Sequence, residues 1–275
     1  MTRILKYIKP FWIFVLAAFL LLSVQAYSDL ALPDYMSRIV NVGIQQGGVQ
    51  NAVPVAVRQS EMNKLVLFMS PADRTGVLND YTLVTQSSPN YATSLKSYPA
   101  LANEPVYVLN NLDSAEISRL NPIIGKALLA VSGIQQAAAN PAQASQMAQS
   151  LGIDLSKLPP GTDPFAALAQ MPPAQLAQIT AAIDKQFATL GESTIVQMAA
   201  PAVKAEYTAL GMNTTTLQNN YLLSTGGIML LLSLLSAACA VAVGYAAART
   251  AAGLGRDLRK NIFRKVQNFS GTEFA

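Results

Sequence analysis

The stretch FWIFVLAAFLLLSVQAYSDLAL, residues 11–32, sets the fold, together with its counterpart YLLSTGGIMLLLSLLSAACAVAVGYAAA at 221–248. Each can cross a bilayer as one helix, which takes about 20 apolar residues. Basic residues flank both on the outer side: Arg3, Lys6 and Lys9 before the first, and Arg249, Arg256, Arg259, Lys260, Arg264 and Lys265 after the second. Lysine and arginine collect on the cytoplasmic side of membrane spans. Both ends are therefore expected in the cytoplasm, with the region between them outside. The expected organisation is a cytoplasmic N-terminus at 1–10, a first transmembrane helix and its extracellular exit at 11–48, and an extracellular insertion domain at 49–214. A second transmembrane helix at 215–248 and a cytoplasmic extension at 249–275 follow.

Composition agrees with a membrane chain. Of 275 residues, 51% are hydrophobic and 12% charged, about half the charge fraction of an ordinary soluble domain. The net charge is +4, yet residues 51–220 hold nine Lys or Arg against eleven Asp or Glu, a balance of −2. The basic excess sits beside the apolar spans, where anionic headgroups are the expected partner rather than nucleic acid. Histidine is absent, which removes the usual general base near neutral pH and the commonest metal ligand. The single cysteine, Cys239, lies within the second span and reads as a small buried side chain.

The first span also has the length and basic flank of a cleavable signal peptide ending near Ala26. Against that, apolar character continues through Tyr27, Leu30, Ala31 and Leu32. Pro33 is expected to kink the helix, and Gly47-Gly48 to end the segment. Asp29 lies 18 residues beyond Phe11, about 27 Å along a helix axis, which puts it near the outer membrane boundary.

Between the spans the punctuation is mostly helical. Ser60 is placed to cap a helix to Phe68, and Ser70-Pro71 to start another. Residues 81–85 and 106–109 read as short extended pieces. Asp113 and Glu116 have capping-box spacing and lead an Ala-rich helix to about Ala139. Further starts are read at Asn140-Pro141, Asp163-Pro164, Pro172-Pro173 and Ser193, with Gly211 as a left-handed stop. The Ala-, Gln-, Met- and Pro-rich stretch 134–182 reads as a small helical subdomain. After the second span, Leu254, Leu258, Ile262 and Val266 form one stripe of an amphipathic helix that needs partner helices.

Three segments carry a resemblance. DLALPDYMSRIVNVGIQQGG at 29–48 resembles the first transmembrane helix and its exit in ATP-binding cassette (ABC) exporters. ARTAAGLGRDLRKNIFRKVQNFS at 248–270 resembles the cytoplasmic end of their second helix. Glu206-Tyr207, Leu210-Gly211, Gln218 and Tyr221 are similar to a multidrug-type subgroup with a large extracellular insertion between those helices. The resemblance implies an all-α membrane protein: two long transmembrane helices of an ABC exporter-type bundle with a mainly helical extracellular domain between them. It implies the N-terminal permease portion of a half-transporter in a bacterial plasma membrane, exporting drugs, lipids or peptides. The partners would be membrane lipids, the rest of its own half and a second half. ATP and Mg²⁺ would belong to a nucleotide-binding domain outside this chain. Ser270 and Glu273 have capping-box spacing, and the resemblance makes Glu273 and Phe274 part of a coupling helix docking on that domain.

No catalytic motif is read in the chain. Gly125-Lys126 lacks the upstream glycine and the following hydroxyl residue of a phosphate-binding loop, and Gly253-Leu254-Gly255 has no such continuation. Asp29 is the sharpest single residue, as a possible substrate-path carboxylate attracting cations, against a boundary carboxylate bonded to a neighbouring side chain. Gly226, Gly227, Ser233, Ser236, Ala237 and Ala240 read as small residues for close helix packing. The alternative function is a two-span sensor or receptor with an extracellular helical ligand-binding domain. A proline soon after the second span would favour it, and none is present there.

Overall fold

A computed structural model describes residues 11–140 and 163–267. The chain divides into two compact units, one from Met1–Ile39 with Leu223–Ala275 and the other from Val40–Leu222. The molecule is mainly helical, and two helices are long and apolar enough to cross a membrane.

In the first unit, α1 spans Trp12–Arg38. Its apolar residues surround the axis, as expected of a helix solvated by lipid or by other helices. Pro33 lies inside α1, which runs on to Arg38. A π-helical segment, Ile39–Gln45, follows. A helical proline forfeits only its own N–H bond and crowds one carbonyl, so the following residues can continue. Gly47 and Gly48 then end the segment at φ 63° and 86°, a region other residues rarely adopt. The other long helix, here called α9, spans Thr214–Gln267 without a break, about 81 Å.

The second unit has its own core. The elements in chain order are β1 (Ala56–Arg58), α2 (Gln59–Leu65), α3 (Pro71–Asp80), β2 (Tyr81–Val84), α4 (Tyr91–Ser97) and β3 (Val106–Leu109). Then follow α5 (Ser114–Ala139), α6 (Pro164–Ala169), α7 (Pro173–Phe187) and α8 (Glu192–Ala209). The strands form an antiparallel sheet in the order β1-β3-β2, with Val57 and Leu83 both opposite Tyr107. The unit is thus mainly helical, as expected, with a small sheet that the all-α class of the whole chain did not include. Strands β2 and β3 read as extended in the sequence, but the outer strand β1 has three residues, too few to show a period of two.

Local chemistry places the helix starts. Ser70 Oγ accepts the Asp73 N–H at the start of α3. Asp113 and Glu116 form the reciprocal capping box of α5. Asp163 caps α6 by accepting the Phe165 N–H. Ser60 does not cap α2, which begins at Gln59 with Arg58 in the cap position and no side-chain cap bond. The helix read from Asn140-Pro141 and the middle of the 134–182 subdomain, 141–162, lie outside the described residues. Gly211 follows α8 at φ 78°.

Helices α5 and α8 pack at the centre. A Cβ on Gly125 would come within 2.7 Å of Ile195 Cγ2 and 3.1 Å of Ala52 Cβ, so the close approach needs a glycine. Leu120, Ile124, Val131 and Ile134 of α5 meet Ala199, Ala200 and Val203 of α8, all at most 1% exposed. Met62, Leu65 and Val57 join the same core.

Candidate functional site

Within the first unit α1 and α9 run antiparallel, as three contacts show. The Arg249 guanidinium lies 5.5 Å from the Phe14 ring centroid. The Phe11 ring fills the space a side chain on Gly253 would need. Ser236 Oγ donates to Asp29 Oδ1 at 2.6 Å. The residue numbers of the three pairs sum to 263, 264 and 265, as one antiparallel register requires.

That register sets Asp29 opposite Ser236, the sixteenth of the 28 residues in 221–248. The helices are level at Phe14 and Arg249, and Asp29 stands 15 residues further, about 22 Å along the axis.

The hydroxyl partner is selective. Ser23, Ser28, Ser233 and Thr250 each donate to the carbonyl four residues earlier in their own helix, at 2.8–3.0 Å. This back-bonding is the usual fate of a hydroxyl inside a helix. Ser236 instead crosses to the other helix. A hydroxyl bound to a carboxylate makes a short, charge-assisted bond, which orients one Asp29 oxygen and leaves the other free to accept. Ser236 was read from sequence only as a small packing residue. The signal that could have found it was the alignment of Arg249 with the aromatic start of the first span. Gly226, Gly227 and Gly244 have no neighbour within 4 Å of a built Cβ, so close packing does not explain them among the described residues.

Glu273 and Phe274 lie outside the described residues. Of the amphipathic stripe, Ile262 and Val266 are exposed, as is Phe263. Cys239 is buried. Among the described residues no group of three or more His, Cys, Asp or Glu side chains is placed to hold a metal ion.

The residues that carried the resemblance in the second unit hold its architecture. Glu206 is 4% exposed. It accepts the Arg58 backbone N–H at 2.8 Å, and the Arg58 guanidinium at 3.0 Å from Nε and 2.8 Å from Nη2. Glu104 adds a looser contact at 3.8 Å. The hydrogen bond to Glu206 raises the Arg58 pKa above its ordinary value, against burial, which lowers it. The next residue, Tyr207, accepts the Val55 N–H at 3.0 Å through its hydroxyl. Burial pushes the Tyr207 phenol up to about 12. The Tyr81 hydroxyl donates to Pro54 O at 2.7 Å, and burial raises its pKa well above the ordinary tyrosine value. Asn121 Oδ1 accepts the Ala52 N–H. Four side chains from three elements thus fix segment 52–58. Gln218 Nε2 donates to Gly43 O at 2.8 Å, tying the start of α9 to the π-helical segment. These contacts read as structural, since each closes a backbone group that would otherwise be buried unpaired.

No family model, curated protein or solved structure matches this chain.

Proposed function

We propose that this chain is the N-terminal permease portion of an ATP-driven ABC exporter. In this reading α1 and α9 are its first two membrane helices, and Val40–Leu222 is an insertion on the outer side. The observation that carries the reading is α9, which continues through Gln267 with no break after the apolar run 221–248. The 19 residues beyond Ala248 extend about 28 Å past it. A helix that leaves the bilayer this far, basic and with exposed Ile262, Phe263 and Val266, suits a transport bundle that carries movement to a cytoplasmic motor. Asp29 then lies in the outer half of the hydrocarbon layer, where a carboxylate is retained for function rather than stability. It would serve cationic substrates on their way out, with Ser236 holding its orientation.

The test uses the full-length protein in nanodiscs and in inside-out vesicles. Mg·ATP-dependent accumulation of a cationic dye in the vesicles is expected, with ATP hydrolysis in the nanodiscs. A cysteine at Ser87, in a Cys239→Ser background, should react with an impermeant thiol reagent in intact cells, while one at Lys260 should not. ATP-independent ligand responses without transport would replace this reading with the sensor. Labelling at Lys260 with protection at Ser87 would invert the topology.

A further inference from the structure

A pocket open to the surface, wholly inside Val40–Leu222, has a chemistry unrelated to Asp29. Its volume is about 610 Å³, and its lining includes Gln46, Gln50, Asn121, Glu192, Thr194 and Gln197. Among the described residues, every polar lining side chain is an amide or a hydroxyl except Glu192, and no lysine or arginine lines it. The formal charge these residues bring to the wall is therefore negative.

Glu192 is a positioned carboxylate. Asn121, 5% exposed, donates Nδ2 to Glu192 Oε1 at 3.0 Å, while its Oδ1 is held by the Ala52 N–H at 3.0 Å. The amide cannot turn over without losing both bonds, so its orientation is fixed. Gln46 is 8% exposed, and its Oε1 has no hydrogen-bond partner among the described residues. A buried acceptor without a donor is costly. Two acceptors thus share this cavity, one charged and held in place, the other buried and unpaired. Glu192 opens α8, where the positive end of the helix dipole favours its carboxylate. The dipole carries about half a unit charge, so the site stays net negative.

We infer that this cavity binds a compact primary ammonium compound, with the ammonium donating to Glu192 and the surrounding amides. An ammonium has three donors and no acceptor, which suits the Glu192 carboxylate and the unpaired Gln46 oxygen. A neutral polyol would bring acceptors as well and would gain nothing from the charge. The inference stands independently of the transport reading, because it needs only the inserted unit and the position of Glu192.

The test is isothermal titration of the full-length protein in neutral-lipid nanodiscs with putrescine, and with 1,4-butanediol as the uncharged analogue. Putrescine should bind at least about tenfold more tightly than the diol. Glu192→Gln keeps an acceptor for Asn121 but removes the charge, and should weaken putrescine by about tenfold. Gln197→Glu adds a second carboxylate to the wall and should tighten it, which keeps the test decisive if Glu192→Gln fails to fold. Equal binding of diol and diamine would overturn the ammonium class. Putrescine affinity untouched by both substitutions would place the binding elsewhere and overturn the site, as would no binding at all. None of these results depends on ATP hydrolysis or transport.

Discussion

In Val40–Leu222 large apolar side chains such as Leu65, Leu120 and Ile134 are at most 1% exposed, whereas Leu30 of α1 and Val241 of α9 are 79% and 75% exposed. The polar groups differ as sharply. In the inserted unit Arg58, Asn121, Glu206 and Tyr207 reach across long stretches of sequence to close each other and the backbone. In α1 and α9 the Ser23, Ser28, Ser233 and Thr250 hydroxyls bond back into their own helix. One unit excludes water with its own core and must satisfy every polar group it buries. The other has helices whose backbone is already satisfied internally and whose apolar surface awaits a solvent of its own kind. Single polar pairs should therefore carry much stability in the first case and little in the second.

The largest expected effect is at Glu206. Glu206→Ala leaves the Arg58 guanidinium and N–H without their buried partner, and breaking such a pair typically costs about 3–5 kcal/mol. Hydrogen exchange of the full chain in nanodiscs should show the amides of β1 losing protection, while α1 and the apolar part of α9 are unchanged. If β1 exchange stays as in the wild type, the inserted unit does not depend on its buried polar closures and the contrast fails.

A smaller effect follows from Tyr207. With its folded pKa raised to about 12 against an ordinary value of 10.0, the phenol is neutral in both states below the lower value. Its contribution is fully present there. Above it the unfolded chain ionises first, so stability falls as pH rises, and the contribution is gone once the folded phenol also ionises. The integrated loss is about 2–3 kcal/mol. Denaturant midpoints of the inserted unit should drop across this alkaline window, with Tyr81 adding in the same direction. Tyr207→Phe should flatten the drop. A wild-type profile that stays level would mean the phenol is not desolvated as its burial indicates.

What the sequence made legible divides along the same line. Signals within a few residues of their effect were readable: the Ser70-Pro71 start, the Asp113–Glu116 capping box, the starts at Pro164 and Pro173, the turns at Gly47-Gly48 and Gly211, and strands β2 and β3. Long-range partners were not. Nothing local in Arg58 points to Glu206, 148 residues away, and β1 exists because β3 offers it an edge. Ser60 resembled a cap, but the pairing of Arg58 with Val106 fixes where the strand ends and the helix begins. Asp29 was legible as an unusual residue, but its partner was not. The partner depends on which residue of the other helix stands opposite, and a single apolar run carries no such register.

The smallest stability effect and the sharpest functional one are expected together, at Ser236 and Asp29. A hydrogen bond between membrane helices averages about 0.6 kcal/mol, because the helices find other partners when it is lost. Ser236→Ala should therefore barely change the thermal stability of the full-length protein in nanodiscs. Asp29→Asn keeps an acceptor for the Ser236 hydroxyl and lowers the cost of burying a charge, so stability should be unchanged or slightly higher. If Asp29 serves only to join the helices, both variants should transport like wild type. If its charge is used, Asp29→Asn should lower cationic-dye transport by about tenfold or more. Ser236→Ala, which loosens the carboxylate without removing it, should lower transport by only a few-fold. A stability loss at Ser236→Ala as large as that at Glu206→Ala would erase the contrast between the units. Full transport by Asp29→Asn would remove Asp29 from the substrate path and leave it a helix-to-helix contact.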